Sequence, residues 1–173
     1  KLDQDNGEPT EEEHQEFSIF HKRKVLLLAM DSTNVWQPGW SISERTVHHT
    51  LDDIISRPAK GRLIIGTFAS QVERIIAIIK AAELNNKKVV VEGRSMKTNL
   101  EIIRLLKLTE TKNVIPIEDI DNYPPDRIVM LVTGAQGDPF AVLMRVATKK
   151  HKHLKIKDGD TVLFSSSVIP GNE

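Results

Sequence analysis

The stretch LIIGTFASQVERIIAIIKAAELNNKKVVVEGRS, Leu63 to Ser95, decides the fold class. It opens on a continuous apolar run, Leu63 to Ile65, and closes on another, Val89 to Val91. Both are strand-sized and lack the polar alternation of a half-exposed strand. Between them Val72, Ile75, Ile76 and Ile79 recur at helical spacing, so one helix face is apolar. Strands apolar on both faces, alternating with amphipathic helices, are what a parallel sheet covered on both sides requires. Working outward, the same pattern predicts buried strands at Val25 to Ala29, Ile128 to Val132 and Val162 to Phe164. It predicts core-facing stripes at Val47, Leu51, Ile54 and Ile55; at Ile102, Leu105 and Leu106; and at Phe140, Leu143, Met144 and Ala147. Ser41 with Glu44, and Ser70 with Glu73, have capping-box spacing, and Asp138-Pro139 marks a further helix start. Pro124-Pro125 marks a turn before the strand at Ile128. The first twenty residues, with Gly7 and Pro9 among many acids, read as a connecting segment without a core element.

A chain of 173 residues suits one core. Hydrophobic residues at 39% and charged residues at 28% exclude wholesale disorder and a fibrous architecture. Lysine plus arginine and aspartate plus glutamate both total 24, so any site for a polyanion must be local. With no cysteine there is no disulfide framework, thiol nucleophile or cysteine-ligated zinc. No apolar run has the length of a membrane span and no signal peptide is visible, so the reading is a soluble, cytoplasmic protein without a membrane partner.

The segments following the strands carry the chemistry: Asp31-Ser32-Thr33-Asn34, Gly66-Thr67-Phe68-Ala69-Ser70, Glu92-Gly93-Arg94-Ser95, Thr133-Gly134-Ala135-Gln136-Gly137-Asp138 and Ser165-Ser166-Ser167. Taken singly, each reads as ordinary turn and cap usage. Together they line the carboxyl edge of a parallel sheet, where small residues let amides approach a ligand and helix N-termini favour anions. The fingerprints GxGxxG and GxxxxGK[ST] are absent, which argues against a dinucleotide enzyme or a P-loop NTPase. A nucleic acid strand offers a series of phosphates to such a series of loops, with Arg45, Arg74 and Arg94 as charge partners and Phe68 as either a stacking face or core. His151 and His153 sit among Lys149, Lys150, Lys152 and Lys155 and read as solvated surface. His48 and His49 are neighbours on a helix, about 100° apart, and cannot converge on a metal. No metal ligand is assigned. Asp31, an acid ending an apolar strand, is placed either to order a histidine or water or to cap nearby amides.

At this point Asp31-Ser32-Thr33-Asn34, Pro38-Gly39, Ser43-Glu44-Arg45, Thr67-Phe68-Ala69-Ser70, Gly93-Arg94-Ser95-Met96, the block from Thr133 to Pro139 and the block from Phe164 to Glu173 resemble, in order, the motifs of ribonuclease J. The resemblance covers nearly the whole chain. It implies an α/β, Rossmann-like three-layer β-CASP domain with a mainly parallel sheet, plus a short N-terminal piece of a metallo-β-lactamase domain. It divides the chain into a linker and terminal strand at 1–40, the β-CASP domain at 41–164 and a return segment at 165–173. It also implies a two-metal, zinc-dependent ribonuclease that removes nucleotides 5′ to 3′ from single-stranded, 5′-monophosphorylated RNA and cuts internally. The zinc ligands would lie outside this segment, upstream of Lys1 and beyond Glu173, so the segment alone would be inactive. Asp31 takes the catalytic supporting role. RNA phosphates would meet Ser32, Thr33, Asn34, Phe68, Ser70, Arg74, Gly93, Arg94, Ser95, Gly134, Gln136, Gly137, Ser165, Ser166 and Ser167. The implied partners are RNA, the rest of the metallo-β-lactamase domain and further copies in a dimer or tetramer. Ala135 and Asp138 depart from the serine and glutamate usual in the family, a change expected to tune affinity. A non-catalytic nucleic-acid-binding or assembly module of the same descent, and a Rossmann-like small-molecule enzyme, are the competing readings.

Overall fold

The structure, a computed structural model, describes residues 11–27, 29, 36, 38, 42–134 and 141–166. The chain divides into two compact units, Lys1–His49 and Thr50–Glu173.

In the first unit, α1 (Glu11–Ser18) runs into a 3-10 turn at Ile19–His21. Within the segment expected to connect, residues 11–21 are thus helical, and none of their described side chains is buried. Phe17 and Phe20 approach each other, ring centroids 6.0 Å apart. Of the strand expected at Val25 to Ala29, Val25, Leu26, Leu27 and Ala29 carry no strand assignment, Leu26 is fully exposed at 101%, and Leu28 lies outside the described residues. A strand exists through ladder bonds to a neighbour, and these residues pair with none among those described. Ser41 lies outside the described residues; α2 (Glu44–Ser56) is capped by Ser43, whose Oγ accepts from the Thr46 amide at 3.2 Å.

The second unit is a parallel sheet with helices. Its elements are β1 (Leu63–Thr67), α3 (Val72–Leu84), β2 (Lys88–Glu92), α4 (Arg94–Leu105), β3 (Val114–Ile115), β4 (Ile128–Val132), α5 (Val142–Ala147) and β5 (Thr161–Ser165). Short 3-10 segments, Ile117–Asn122 and Pro125–Arg127, lead from β3 to β4. The strand order is β3-β2-β4-β1-β5, and every neighbouring pair is parallel. The sheet is all-parallel and α/β, as the apolar runs require. β1 and β4 are buried at every position because both sheet faces are covered there. The run Val162 to Phe164 does form a strand, but not a buried one: β5 is an edge, and Phe164 is 61% exposed. β3, two residues stopped by Pro116, is too short to announce itself as an apolar run.

One face holds Ile64, Val90, Met130 and Val132 against Ile117, Val142, Leu143, Val146 and Leu154. Alternation sends Leu63, Ile65, Val89, Val91, Val129 and Leu131 to the other face, where right-handed crossovers place α3 and α4. Ile75, Ile78 and Ile79 of α3 are wholly buried, each contributing about 1.5–3 kcal/mol of transfer free energy. α4 buries Met96, Leu100 and Ile103. The predicted stripe at Ile102, Leu105 and Leu106 is exposed, Leu105 at 81%, because it lies roughly a third of a turn away from the face set by the helix's start at Arg94. α5 buries Val142, Leu143 and Val146, while Ala147 is exposed and Phe140 lies outside the described residues.

α3, α4 and α5 end alike. Lys87, Leu108 and Lys150 donate backwards to Ala82, Ile103 and Arg145 at 2.8, 3.0 and 2.7 Å, and Asn86, Lys107 and Lys149 hold left-handed φ of 53°, 53° and 58°. These are Schellman closures built without glycine.

Candidate functional site

Parallel strands bring their carboxyl ends to one edge. In spatial order the loops there are Gly93-Arg94-Ser95 after β2, Thr133-Gly134 after β4, Thr67 to Ser70 after β1, and Ser165-Ser166 after β5. The chain leaves β1 toward β2 and leaves β4 toward β5, in opposite directions across the sheet. The carboxyl ends of β1 and β4 therefore flank the topological switch point, where open α/β sheets bind ligands.

The loops are braced against one another. Gly93, at φ 111°, abuts Thr133: a Cβ there would lie 2.6 Å from the Thr133 Oγ1, so this position tolerates no side chain. The Thr133 carbonyl accepts from the Leu143 amide at 3.1 Å, tying the loop to α5. Asn99 of α4 donates from Nδ2 to the Ala69 carbonyl, joining α4 to the β1 loop. The Ser165 carbonyl accepts from Thr67 Oγ1 at 3.0 Å and Arg74 Nη1 at 2.7 Å, which holds the end of β5 beside β1.

Of the residues singled out from sequence, Phe68, Gly93, Gly134, Ser165 and Ser166 are half-buried at this edge, and Ser70, Arg94 and Ser95 are exposed there. Arg74 is brought to the same edge but is buried, its guanidinium turned to Ser165. Arg94, the first residue of α4, makes no ion pair with any described residue. Ser70 does not cap α3: the helix starts at Val72, no side-chain cap bond forms at Gln71, and the Phe68 carbonyl accepts from the Gln71 amide at 3.1 Å in a turn that displaces Ser70 outward. Asp31, Ser32, Thr33, Asn34, Gln136, Gly137 and Ser167 lie outside the described residues, as do Ala135, Asp138 and Pro139.

Sequence reading missed the buried support beneath the loops. Glu92, ending β2, is buried and paired with Lys97 Nζ at 2.6 Å. An acid closing an apolar strand, five residues before a lysine, was the available signal. His151, expected on the solvated surface, is buried, and its Nδ1 accepts from the amides of Leu154 and His153 at 3.0 and 3.3 Å. It packs inward because the return from α5 needs an acceptor for those amides. Burial, with the charge of Arg145, holds its pKa below the ordinary 6.5; Glu92 opposes this, and His153 and Lys97 reinforce it. His153 stays exposed. Among the described residues no group of three or more His, Cys, Asp or Glu side chains could hold a metal ion. No helix among them is long and apolar enough to cross a membrane.

Residues 60–173 match the family described as Ribonuclease J, beta-CASP domain. Relatives similar over most of the chain include Ribonuclease J of Corynebacterium glutamicum, 39% identical over 100% of this chain and 24% of its own length. Ribonuclease J of Thermus thermophilus is 43% identical over 86% of this chain and 26% of its own. Ribonuclease J2 of Bacillus subtilis is 38% identical over 86% of this chain and 27% of its own. The chain thus spans about a quarter of the length of these relatives.

Proposed function

Because this chain belongs to the ribonuclease J family, matching its β-CASP domain, we propose that it forms the RNA-binding part of a nuclease of that family. The carrying observation is the set of four mutually braced loops at the switch point of the sheet. Amides and hydroxyls at Gly93, Ser95, Gly134, Ser165 and Ser166 suit successive phosphates, and Arg94 supplies an uncommitted charge. Arg74 serves in this reading by positioning β5. Ser32, Thr33, Asn34, Gln136, Gly137 and Ser167 would extend the phosphate track, and Asp31 would support the reacting centre.

The parent enzyme, in this reading, hydrolyses phosphodiesters of single-stranded, 5′-monophosphorylated RNA, from the 5′ end and internally, in the cytoplasm. In the same reading the zinc ligands belong to a metallo-β-lactamase domain of the parent, as the family resemblance implies, and no hydrolytic step is assigned to this segment. The exposed run Val25 to Leu27 supports residues 1–40 completing a sheet in that domain, with 165–173 returning to it. Dimers or tetramers of the parent are part of the same proposal.

The test is RNA binding and cleavage by the intact protein and its Arg94→Ala variant. We expect the variant to bind a 5′-monophosphorylated oligonucleotide less tightly at every sequence, with the slope of log K against log salt reduced by about one. Unchanged affinity and slope would mean that RNA does not follow this edge. Binding without zinc-dependent cleavage by the intact protein would instead favour a non-catalytic module.

A further inference from the structure

The opposite, amino edge of the sheet carries a second concentration of charge that the RNA reading does not use. Two adjoining cavities open there, of about 280 and 430 Å³, and both are lined by Lys87 and Arg127. Arg57 and Asp126 border the smaller; Glu83, Lys88, Lys112 and Tyr123 border the larger, so cations outnumber carboxylates in both. The larger has the volume of a small-ligand site.

Lys87 is the unusual member. It follows the left-handed Asn86 in the closure of α3, the position where an apolar side chain ordinarily packs back on the helix. A lysine there is carried inward, and Lys87 is only 7% exposed. Its ammonium makes no hydrogen bond or ion pair with any described residue. The carbonyls that close α3 are already taken: Ala81 accepts from Asn85, Glu83 from the Asn86 amide and Ala82 from the Lys87 amide. Arg127 spends one Nη1 bond on the Asn85 carbonyl at 3.2 Å, and its Nε lies 3.8 Å from Asp126. Burial depresses the Lys87 pKa; Asp126 opposes this and Arg127 adds to it. The stem is enclosed while the ammonium, which is not among the buried unpartnered atoms, reaches the cavities without a partner, so an anion entering there meets a free cation.

A second orphan sits in the same wall. Asn113 donates from Nδ2 to the Ile79 carbonyl at 3.0 Å, which fixes its amide, and its Oδ1 is buried without any hydrogen-bond partner. The larger cavity thus presents the Lys87 ammonium and the Tyr123 ring, over which Lys88 Nζ sits 5.5 Å from the centroid, while Asn113 Oδ1 lies buried behind its wall. A phosphate ester that also carries a ring meets both.

We propose that the cavity around Lys87 and Arg127, on the sheet edge opposite the proposed RNA track, is a binding site for a phosphate ester of nucleotide size. The phosphate meets Lys87 and Arg127, and the ring packs at Tyr123. The same group reaches the site either as a free mononucleotide or within a bound RNA strand, and the two are separable.

The experiment uses the intact protein, with calorimetric titration of adenosine monophosphate, inorganic phosphate and adenosine, and anisotropy of a labelled single-stranded RNA. Variants are Lys87→Met, which keeps the packed stem, Lys88→Gln at the cavity mouth, Leu105→Gln as a control, and Arg94→Ala at the other edge. Adenosine monophosphate should bind, phosphate more weakly and adenosine least. Lys87→Met should weaken the monophosphate by about tenfold or more, while Leu105→Gln, at an exposed position of α4 outside both sites, leaves it unchanged. Loss of small-ligand binding with RNA affinity retained identifies a free nucleotide as the ligand. A parallel fall in RNA affinity identifies a phosphate of the strand. If the monophosphate does not bind and Lys87→Met leaves RNA affinity unchanged, or if Lys87→Met binds both as the parent does, the proposal is overturned. Lys88→Gln should weaken the monophosphate by a smaller factor. Arg94→Ala separates this outcome from any failure of the carboxyl-edge reading.

Discussion

Arg62 and Asp160 form the most buried ion pair among the described residues, and they show how one carboxylate secures a whole strand. Asp160 accepts from Arg62 through both Nη2 and Nε, the latter at 3.1 Å, and from the amides of Arg62 and Lys157 at 3.0 and 2.8 Å. The Arg62 guanidinium also reaches the Lys155 carbonyl at 2.7 Å. Burial alone would raise the Asp160 pKa, but these bonds and the Arg62 charge outweigh it and hold it below the ordinary 3.8. Its folded pKa being depressed, the stability it contributes is complete above the unfolded value and is lost as pH falls through the folded one. Asp160→Ala should cost about 3–5 kcal/mol in denaturant unfolding, since it strands a buried guanidinium. A cost below 1 kcal/mol would show that β5 is held by other means. His151 titrates in a different window. Its neutral form is the one that accepts two amides, so stability should decline as pH drops below 6.5 toward its lowered folded value. Unfolding free energies measured between pH 7.5 and about 5 test this, and a His151→Asn variant should lose that dependence while Asp160 still titrates lower.

At the scale of elements, α4 separates packing from composition. Met96 and Leu105 are both large apolar residues of one helix, yet Met96 is fully buried and Leu105 mostly exposed. Met96→Ala should cost about 2–5 kcal/mol, and Leu105→Lys should fall within about 0.5 kcal/mol of the parent. Equal costs for the two would mean that the helix is rotated from the orientation described. The helix ends offer a gain. Lys107 and Lys149 occupy left-handed φ that an L residue adopts at a cost of roughly 1–2 kcal/mol. Lys107→Gly should therefore raise the midpoint of thermal unfolding, whereas glycine at the neighbouring Leu106 should not. The stops of α4 and α5 were invisible as sequence signals because lysine, not glycine or asparagine, holds the left-handed position there; only α3, closing on Asn86, carried one.

For the molecule as a whole, the all-parallel sheet sorts its chemistry to two edges. The carboxyl edge gathers small residues, hydroxyls and Arg94; the amino edge gathers Lys87, Lys88 and Arg127. Net charge is zero, so binding of a polyanion must depend on these local fields and weaken with salt. In the intact protein, RNA affinity measured from low to high salt should fall for the parent and fall less steeply for Arg94→Ala, while an uncharged substitution at the exposed Leu105 leaves the slope unchanged. A slope that Arg94→Ala does not alter would place RNA elsewhere.

The sequence by itself determined the class of fold and the edge where its loops collect. Apolar runs at Leu63, Val89 and Ile128, spaced by helical segments, admit only a sheet covered on both faces, and parallel pairing then puts every following loop on one side. The ordered blocks of residues carried the family resemblance as well. The tertiary structure alone decided which apolar residues are core, because Leu105 and Met96 differ in rotation about an axis rather than in hydrophobicity. It alone decided that β5 is an edge, that Val25 to Leu27 form no strand, and that β1 and β4 flank the switch point, since strand order depends on crossovers that hydropathy does not encode. The burial of His151, Glu92 and Lys87 has the same origin. Each is polar by composition, and only its neighbours in space, brought together across the chain, determine whether it meets water, a partner or a ligand.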